Sequence, residues 1–213
     1  MSHDVSTDNV WPGRRPAGVQ HFALRRTVDP ADTAVSLEDM KCFLRLEPDD
    51  DSDDVLLEGL IAAATDYVEV KLGKALITQT WEYQLDAFPH EFELPRSPLL
   101  TVTSITYIDT DGASQTLAAT VYQVDIDSEP GRITEDEGQS FPSTLAGELN
   151  AVTVTYTAGS GTETTDVPRN IWLALQFLVQ DYYDNRSAQQ PTNIGDNPVV
   201  NRLLGVSKQP RVY

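Results

Sequence analysis

Cysteine, histidine and positive charge are all scarce here: one Cys, three His and fifteen Lys plus Arg in 213 residues. A lone thiol, Cys42, rules out an internal disulfide. A chain of this length buries roughly 70% of its unfolded surface and needs no staple. Cys42 falls in a helical pattern with no basic partner suggested for it, so it reads as a small buried helix residue and not a nucleophile. His3 and His21 lie in the N-terminal segment and His90 sits beside Pro89, so no His-x-x-x-His or similar spacing offers a zinc site. No stretch reaches the ~18 uncharged apolar residues of a membrane span. The opening MSHDVSTDNVWPGRRPAG lacks the apolar core of a signal peptide. The expectation is a soluble protein made in a cytoplasm, without a membrane partner.

Acid is abundant. Thirty-three Asp and Glu give a formal net charge of -18, unevenly spread. Residues 1–26 and 197–213 are both net positive, the latter through Arg202, Lys208 and Arg211, so the middle is more acidic than the total. Such a body grips DNA phosphates poorly, because that affinity comes from Lys and Arg. It suits a wall past which DNA slides without sticking.

Residues 1–35 are rich in Pro, Gly, Ser, Thr, Asp and Arg without a sustained period, and read as an extended arm. Trp11 and Phe22 are candidate anchors of that arm on a partner. Ser36 opens a helix over 36–47 with Asp39 at the capping-box position and Pro48 as its stop. The acid run Asp49 to Asp54 leads into a second helix over 53–72, with Leu56, Leu57, Leu60, Ile61, Ala64, Tyr67, Val68 and Leu72 as its apolar stripe and Gly73 as its C′ residue. The period then changes to two. Trp81, Tyr83 and Leu85 alternate with Glu82 and Gln84, and residues 101–108 are β-branched and aromatic. Asp109 to Gly112 forms a turn, shorter strands follow near 114–117, 121–126 and 131–134, and Val152, Val154 and Tyr156 close the block.

Asp166 and Pro168 start a third helix over 168–186. From Ile171 to Val179 only Gln176 is polar, so the helix must be covered on more than one side. A linker, 187–196, precedes a short amphipathic segment with Asn197 as cap, Pro198 at the first position and Gly205 at the end. Helices, then strands, then helices make an α+β chain: a small helical bundle with a β-rich insertion, 77–157, between the second and third long helices, plus extended N- and C-terminal arms. The core spans 36–186, flanked by an arm (1–35) and a linker with docking segment (187–213).

Catalytic motifs fail on inspection. Counted from Asp49, an EF-hand loop would need Gly at position six and Glu at twelve, where Asp54 and Leu60 stand. The acid run reads instead as a helix N-terminus met by carboxylates. Gly159-Ser160-Gly161-Thr162 lacks the lysine of a phosphate loop and reads as a flexible loop. No serine sits in a nucleophile elbow. The expectation is no enzyme and no cofactor.

Several segments, in order, resemble phage head–tail connector (adaptor) proteins: Ala23-Leu24-Arg25-Arg26, Val35-Ser36-Leu37-Glu38, Phe43-Leu44-Arg45, Leu60-Ile61-Ala62-Ala63-Ala64, Tyr67-Val68-Glu69, Gln79-Thr80-Trp81, Leu94-Pro95-Arg96-Ser97-Pro98-Leu99, Val102 to Tyr107, Pro130-Gly131-Arg132-Ile133, Val154 to Gly159, and Tyr182 to Arg186. Two features depart from the pattern: a longer arm before Phe22, and Phe141 where Trp is expected. The resemblance implies a dodecameric ring in the virion neck, sitting under the portal protein, extending the DNA channel and receiving a stopper or tail-completion protein. Double-stranded DNA would pass through without specific binding. It further implies that the helical part builds the ring and that a C-terminal segment docks into the portal.

Three groups of residues follow as candidates. Val199, Val200, Arg202, Leu203, Leu204, Arg211 and Tyr213 form the portal-docking segment. Two helical turns are marginal alone, so the segment is expected to be poorly ordered until another protein covers its apolar face. Ile171, Trp172, Leu175, Phe177 and Val179, with Trp11 and Phe22, form the subunit interface. Asp49, Asp50, Asp51, Glu135, Asp136 and Glu137 face the channel. The alternative is a β-rich tail or baseplate accessory module that binds a surface ligand, which would have little use for the long apolar helix over 168–186.

Overall fold

The computed structural model describes residues 22–185 and 197–207. Trp11, Arg211 and Tyr213, and most of the expected arm and linker, lie outside these residues.

Two hydrophobic cores stand side by side. The first is helical and built from both ends of the chain. Helix α1 (Leu37–Leu44) starts where the Ser36 hydroxyl accepts from the Asp39 amide at 3.0 Å. It ends at Arg45, whose left-handed φ of 59° stops it three residues before Pro48. Helix α2 (Asp54–Leu72) ends on Gly73 at φ 69°, with the Gly73 amide donating to the Glu69 carbonyl. Helix α3 (Arg169–Asp184) begins after Pro168. Helix α4 (Pro198–Gly205) is capped by Asn197, whose side-chain oxygen accepts from the Val199 amide at 2.9 Å. Met40, Leu57, Ile61, Val68, Leu175, Leu178, Val200 and Leu204 are buried together between these helices.

The second core lies in the strands. A five-stranded antiparallel sheet runs β1 (Phe22–Val28), β2 (Gln79–Leu85), β8 (Val152–Ala158), β4 (Leu99–Ile108), β5 (Ser114–Thr116) in spatial order. A three-stranded sheet runs β3 (Glu91–Glu93), β7 (Arg132–Glu135), β6 (Tyr122–Asp125). In β2 the buried Gln79, Trp81, Tyr83 and Leu85 alternate with half-buried residues, the period-two pattern of a strand with one covered face. Trp81 pairs with Tyr156 and Tyr83 with Val154 across to β8. Leu94, Ile105 and Ile133 complete this core. The fold is thus α+β, as expected.

The cores are joined at a tight seam. Ala75 belongs to the strand core, while Leu76 and Ile77 belong to the helical one. The buried carboxylate of Glu69 on α2 accepts from the Leu76 amide and the Gln79 side chain, both at 2.8 Å. Gly159 packs so closely on Thr78 that a Cβ there would lie 2.5 Å from the Thr78 backbone.

Four local expectations are corrected. Residues 22–28 are not a free arm: they form β1 and pair antiparallel with β2, with Arg25 opposite Glu82 and an ion pair between them at 2.6 Å. Ala34 and Val35, also placed in the arm, are fully buried in the helical core. The 159–162 segment is pinned, since the Gly161 carbonyl accepts from both the amide and the hydroxyl of Thr78, at 2.8 and 2.9 Å. Cys42 is exposed, because α1 turns Met40 and Lys41 inward instead.

Candidate assembly surfaces

Helix α3 carries five of the expected subunit-interface residues, and three of them are unavailable. Ile171, Leu175 and Val179 are buried within the subunit, against a core that α2 and α4 complete. The helix is apolar nearly all round because its own chain covers it nearly all round. Trp172 and Phe177 are only partly buried. The Arg169 guanidinium lies 3.8 Å from the Trp172 ring centre, and Phe177 meets Phe43 edge-on at 5.5 Å. Phe22, at the outer edge of the sheet, is exposed and 5.5 Å from the Tyr83 ring.

The docking segment is likewise divided. Val200 and Leu204 are buried in the helical core and Leu203 packs partly against it, so α3 supplies the apolar surface that was expected from another protein. Three polar clamps hold α4 down. The Asn170 side chain donates to the Leu203 carbonyl at 3.0 Å and to the Ser207 hydroxyl at 2.6 Å. The Asn197 side chain donates to Asp181 at 2.7 Å, and the Lys71 ammonium donates to Asn201 at 2.5 Å. Val199 and Arg202 remain exposed.

The two acidic groups sit on different layers. Asp49, Asp50 and Asp51 are exposed in the loop between α1 and α2. That loop wraps the buried ammonium of Lys41, which donates to the carbonyls of Pro48 at 3.2 Å and Asp50 at 2.9 Å and pairs with the Asp54 carboxylate at 2.6 Å. A chain segment this acidic folds around a cation because the cation offsets its self-repulsion. Carboxylates stand at the start of α2 as expected, with Asp54 in its first turn, but the N-cap Asp53 makes no side-chain capping bond and instead accepts from the Tyr183 hydroxyl at 2.5 Å. Glu135 ends β7 in the small sheet. Its carboxylate accepts from the Phe141 amide at 2.8 Å and pairs with His90 at 2.6 Å, which holds its pKa below the usual range. Asp136 accepts from Gln123, and Glu137 is exposed.

A groove of about 1160 Å³ runs between the end of α2, β1 and β3, lined by Phe22, Val70, Lys71, Lys74, Phe92 and Arg96 among others. Its cations are engaged: Lys74 pairs with Glu129 at 2.5 Å, and Arg96 lies over Trp81 at 5.0 Å. Among the described residues no group of three or more His, Cys, Asp or Glu is placed to hold a metal ion, and no helix is long and apolar enough to cross a membrane.

A family model of phage gp6-like head–tail connector proteins matches residues 34–203. The chain belongs to this family. The connector match begins after β1, so the edge strand lies outside it. A search among curated proteins finds no match. Three solved structures share the connector architecture. A chain from the neck of an empty gene transfer agent particle, computed with C6 symmetry, superposes with TM-score 0.75 at 25% identity, covering 90% of this chain and 97% of that one. A chain from the virion of the native gene transfer agent particle gives 0.73 at 24% identity, with 89% and 97% covered. One from the native neck computed with C12 symmetry gives 0.66 at 23% identity, with 90% and 97% covered. The last two bear on the fold alone.

Proposed function

We propose that this connector is a structural subunit of the neck of a phage-like particle, where copies form a closed ring, twelve in number, between the portal and the tail or stopper protein. The observation that carries the proposal is the chain-length superposition on a neck chain at TM-score 0.75, in which nearly all of that chain is matched. The ring extends the DNA channel, and the acidic loop bearing Asp49, Asp50 and Asp51 is a candidate for its wall, since like charge keeps DNA from sticking. Val199 and Arg202 on the outer side of α4, with Arg211 and Tyr213 beyond it, are the candidate contact to the portal. Assembly takes place in the host cytoplasm and the product resides in the virion. The test is to delete the gene in a particle-producing strain and image the products. Filled heads and free tails that fail to join support a joining role; complete particles without the chain rule it out.

A further inference from the structure

The chain leaves the helical core on the wall of the groove between the end of α2, β1 and β3. Ser207, the last described residue, lines this volume of about 1160 Å³. Much of the lining is engaged. Lys74 pairs with Glu129 at 2.5 Å and Glu91 with Arg132 at 3.2 Å, while Lys71 donates to Tyr67 and Asn201.

Three parts of the lining are left over. The first is apolar. Phe22 is 59% exposed and Val70 69%, and the rings of Phe22, Tyr83 and Phe92 follow one another with centres 5.5 and 6.4 Å apart. The second is an acceptor. Glu93 is exposed on β3 and enters no ion pair among the described residues. The third is a donor. Arg96 lies over Trp81, yet its Nη1 is buried with no acceptor. Its backbone is left-handed, at φ 65°, a conformation that residues with side chains hold only where their surroundings impose it. A buried donor without a partner destabilises the fold unless an acceptor from elsewhere reaches it.

Residues 208–213, Lys-Gln-Pro-Arg-Val-Tyr, carry the matching chemistry. They hold two cations and no acid, in a protein with 33 acids. Arg211 matches the Glu93 carboxylate, Val212 and Tyr213 match the exposed apolar wall, and backbone carbonyls are acceptors for Arg96. Fully extended, six residues reach about 20 Å from Ser207. The tether gives them an effective concentration at the groove on the order of millimolar, so weak contacts suffice.

We propose that this groove is the seat of the chain's own residues 208–213, with Arg211 on Glu93 and Tyr213 against Phe22 and Val70. The seat does not depend on the ring reading. Where a portal uses Arg211 and Tyr213, it competes with the groove for them.

The test is brief trypsin digestion of the full chain, at concentrations where it sediments as a monomer, with release of Val212-Tyr213 followed by mass spectrometry. Cleavage after Arg211 tracks the fraction of time the segment is off the groove. The forms are wild type, Glu93→Gln, Phe22→Ser, and Leu149→Gln as an exposed control elsewhere. All three substituted residues are exposed, so each variant should melt as wild type does. Glu93→Gln and Phe22→Ser should release the dipeptide roughly tenfold faster than wild type, and the control should not. Wild type cut as fast as both groove variants would overturn the proposal and leave the ring reading standing. Protection that appears only as concentration rises would also overturn it, because the segment would then seat on another copy.

Discussion

The helical and strand cores solve the same problem from opposite directions in sequence. The strand core comes mainly from one continuous stretch, residues 79–158, in which side chains alternate in and out, although its central pairings, of β2 and β4 with β8, join distant parts of that stretch. The helical core is assembled from residues more than a hundred apart, with α1 and α2 from the first third of the chain and α3 and α4 from the last. The strands of that core are therefore readable from period, though their order in the sheet is not. The split core is not, because which helix covers which depends on how the ends return. Its stability must also depend on the seam, where Glu69, Thr78 and Gly159 tie the two together.

The largest effect should come from hollowing the split core. Leu178 is fully buried in α3, and Leu178→Ala should cost about 2–5 kcal/mol. If the seam couples the cores, denaturant curves followed by far-ultraviolet circular dichroism and by Trp81 fluorescence, in a Trp11→Phe, Trp172→Phe background, will shift together. Separate shifts would show that the strand core stands alone.

The seam itself can be wedged open. Gly159→Ala sets a methyl 2.5 Å from the Thr78 backbone, and the forced displacement should cost about 1–3 kcal/mol by urea unfolding. An unchanged midpoint would mean the two cores are only loosely apposed.

A milder probe is the buried carboxylate between them. Desolvation raises the pKa of Glu69 above its ordinary value of 4.5, outweighing the hydrogen bonds from Leu76 and Gln79 that lower it. The folded state thus holds this proton more tightly than the unfolded chain. Stability falls as pH climbs from about the ordinary value through the raised one, and stays lower beyond. Glu69→Gln keeps the oxygen that accepts from Leu76 and Gln79 and removes the charge. Its stability relative to wild type should rise with pH across that window and level off at neutrality, measured as urea midpoints.

The smallest effect belongs to the strand layer's surface. The Ser128 hydroxyl, then Arg132 and the Ser128 amide, hold the Asp125 carboxyl down to about 2. Its contribution is complete above the ordinary carboxylate range and is lost as pH falls toward that value. Asp125→Asn should therefore trail wild type slightly near neutrality and match it in strong acid.

How far the sequence revealed all this varies by element. Helix and strand types in the core came through because Ser36, Gly73 and Pro168 mark helix ends and the alternation at 81–85 is clean. Strand β1 was hidden: its seven residues are nearly all exposed, so no buried face imprints a period, and only the register with β2 defines it. Burial of Ile171, Leu175 and Val179 within the subunit escaped notice for a related reason. The apolar coat of α3 signals burial, but sequence does not say by whom, and α4 turns out to cover it. The charged run at 49–54 was legible as acid but not as a wrap around Lys41, a contact set by the turn of α1.

The central claim is that identical copies close into a ring in a particle neck. Its most direct test is cryo-electron microscopy of the neck of the particle that carries this chain, averaged without imposed symmetry. Twelve copies of the two-core subunit around the DNA path is the predicted result. A neck in which the chain is absent, or present as a single unpaired copy, would contradict it.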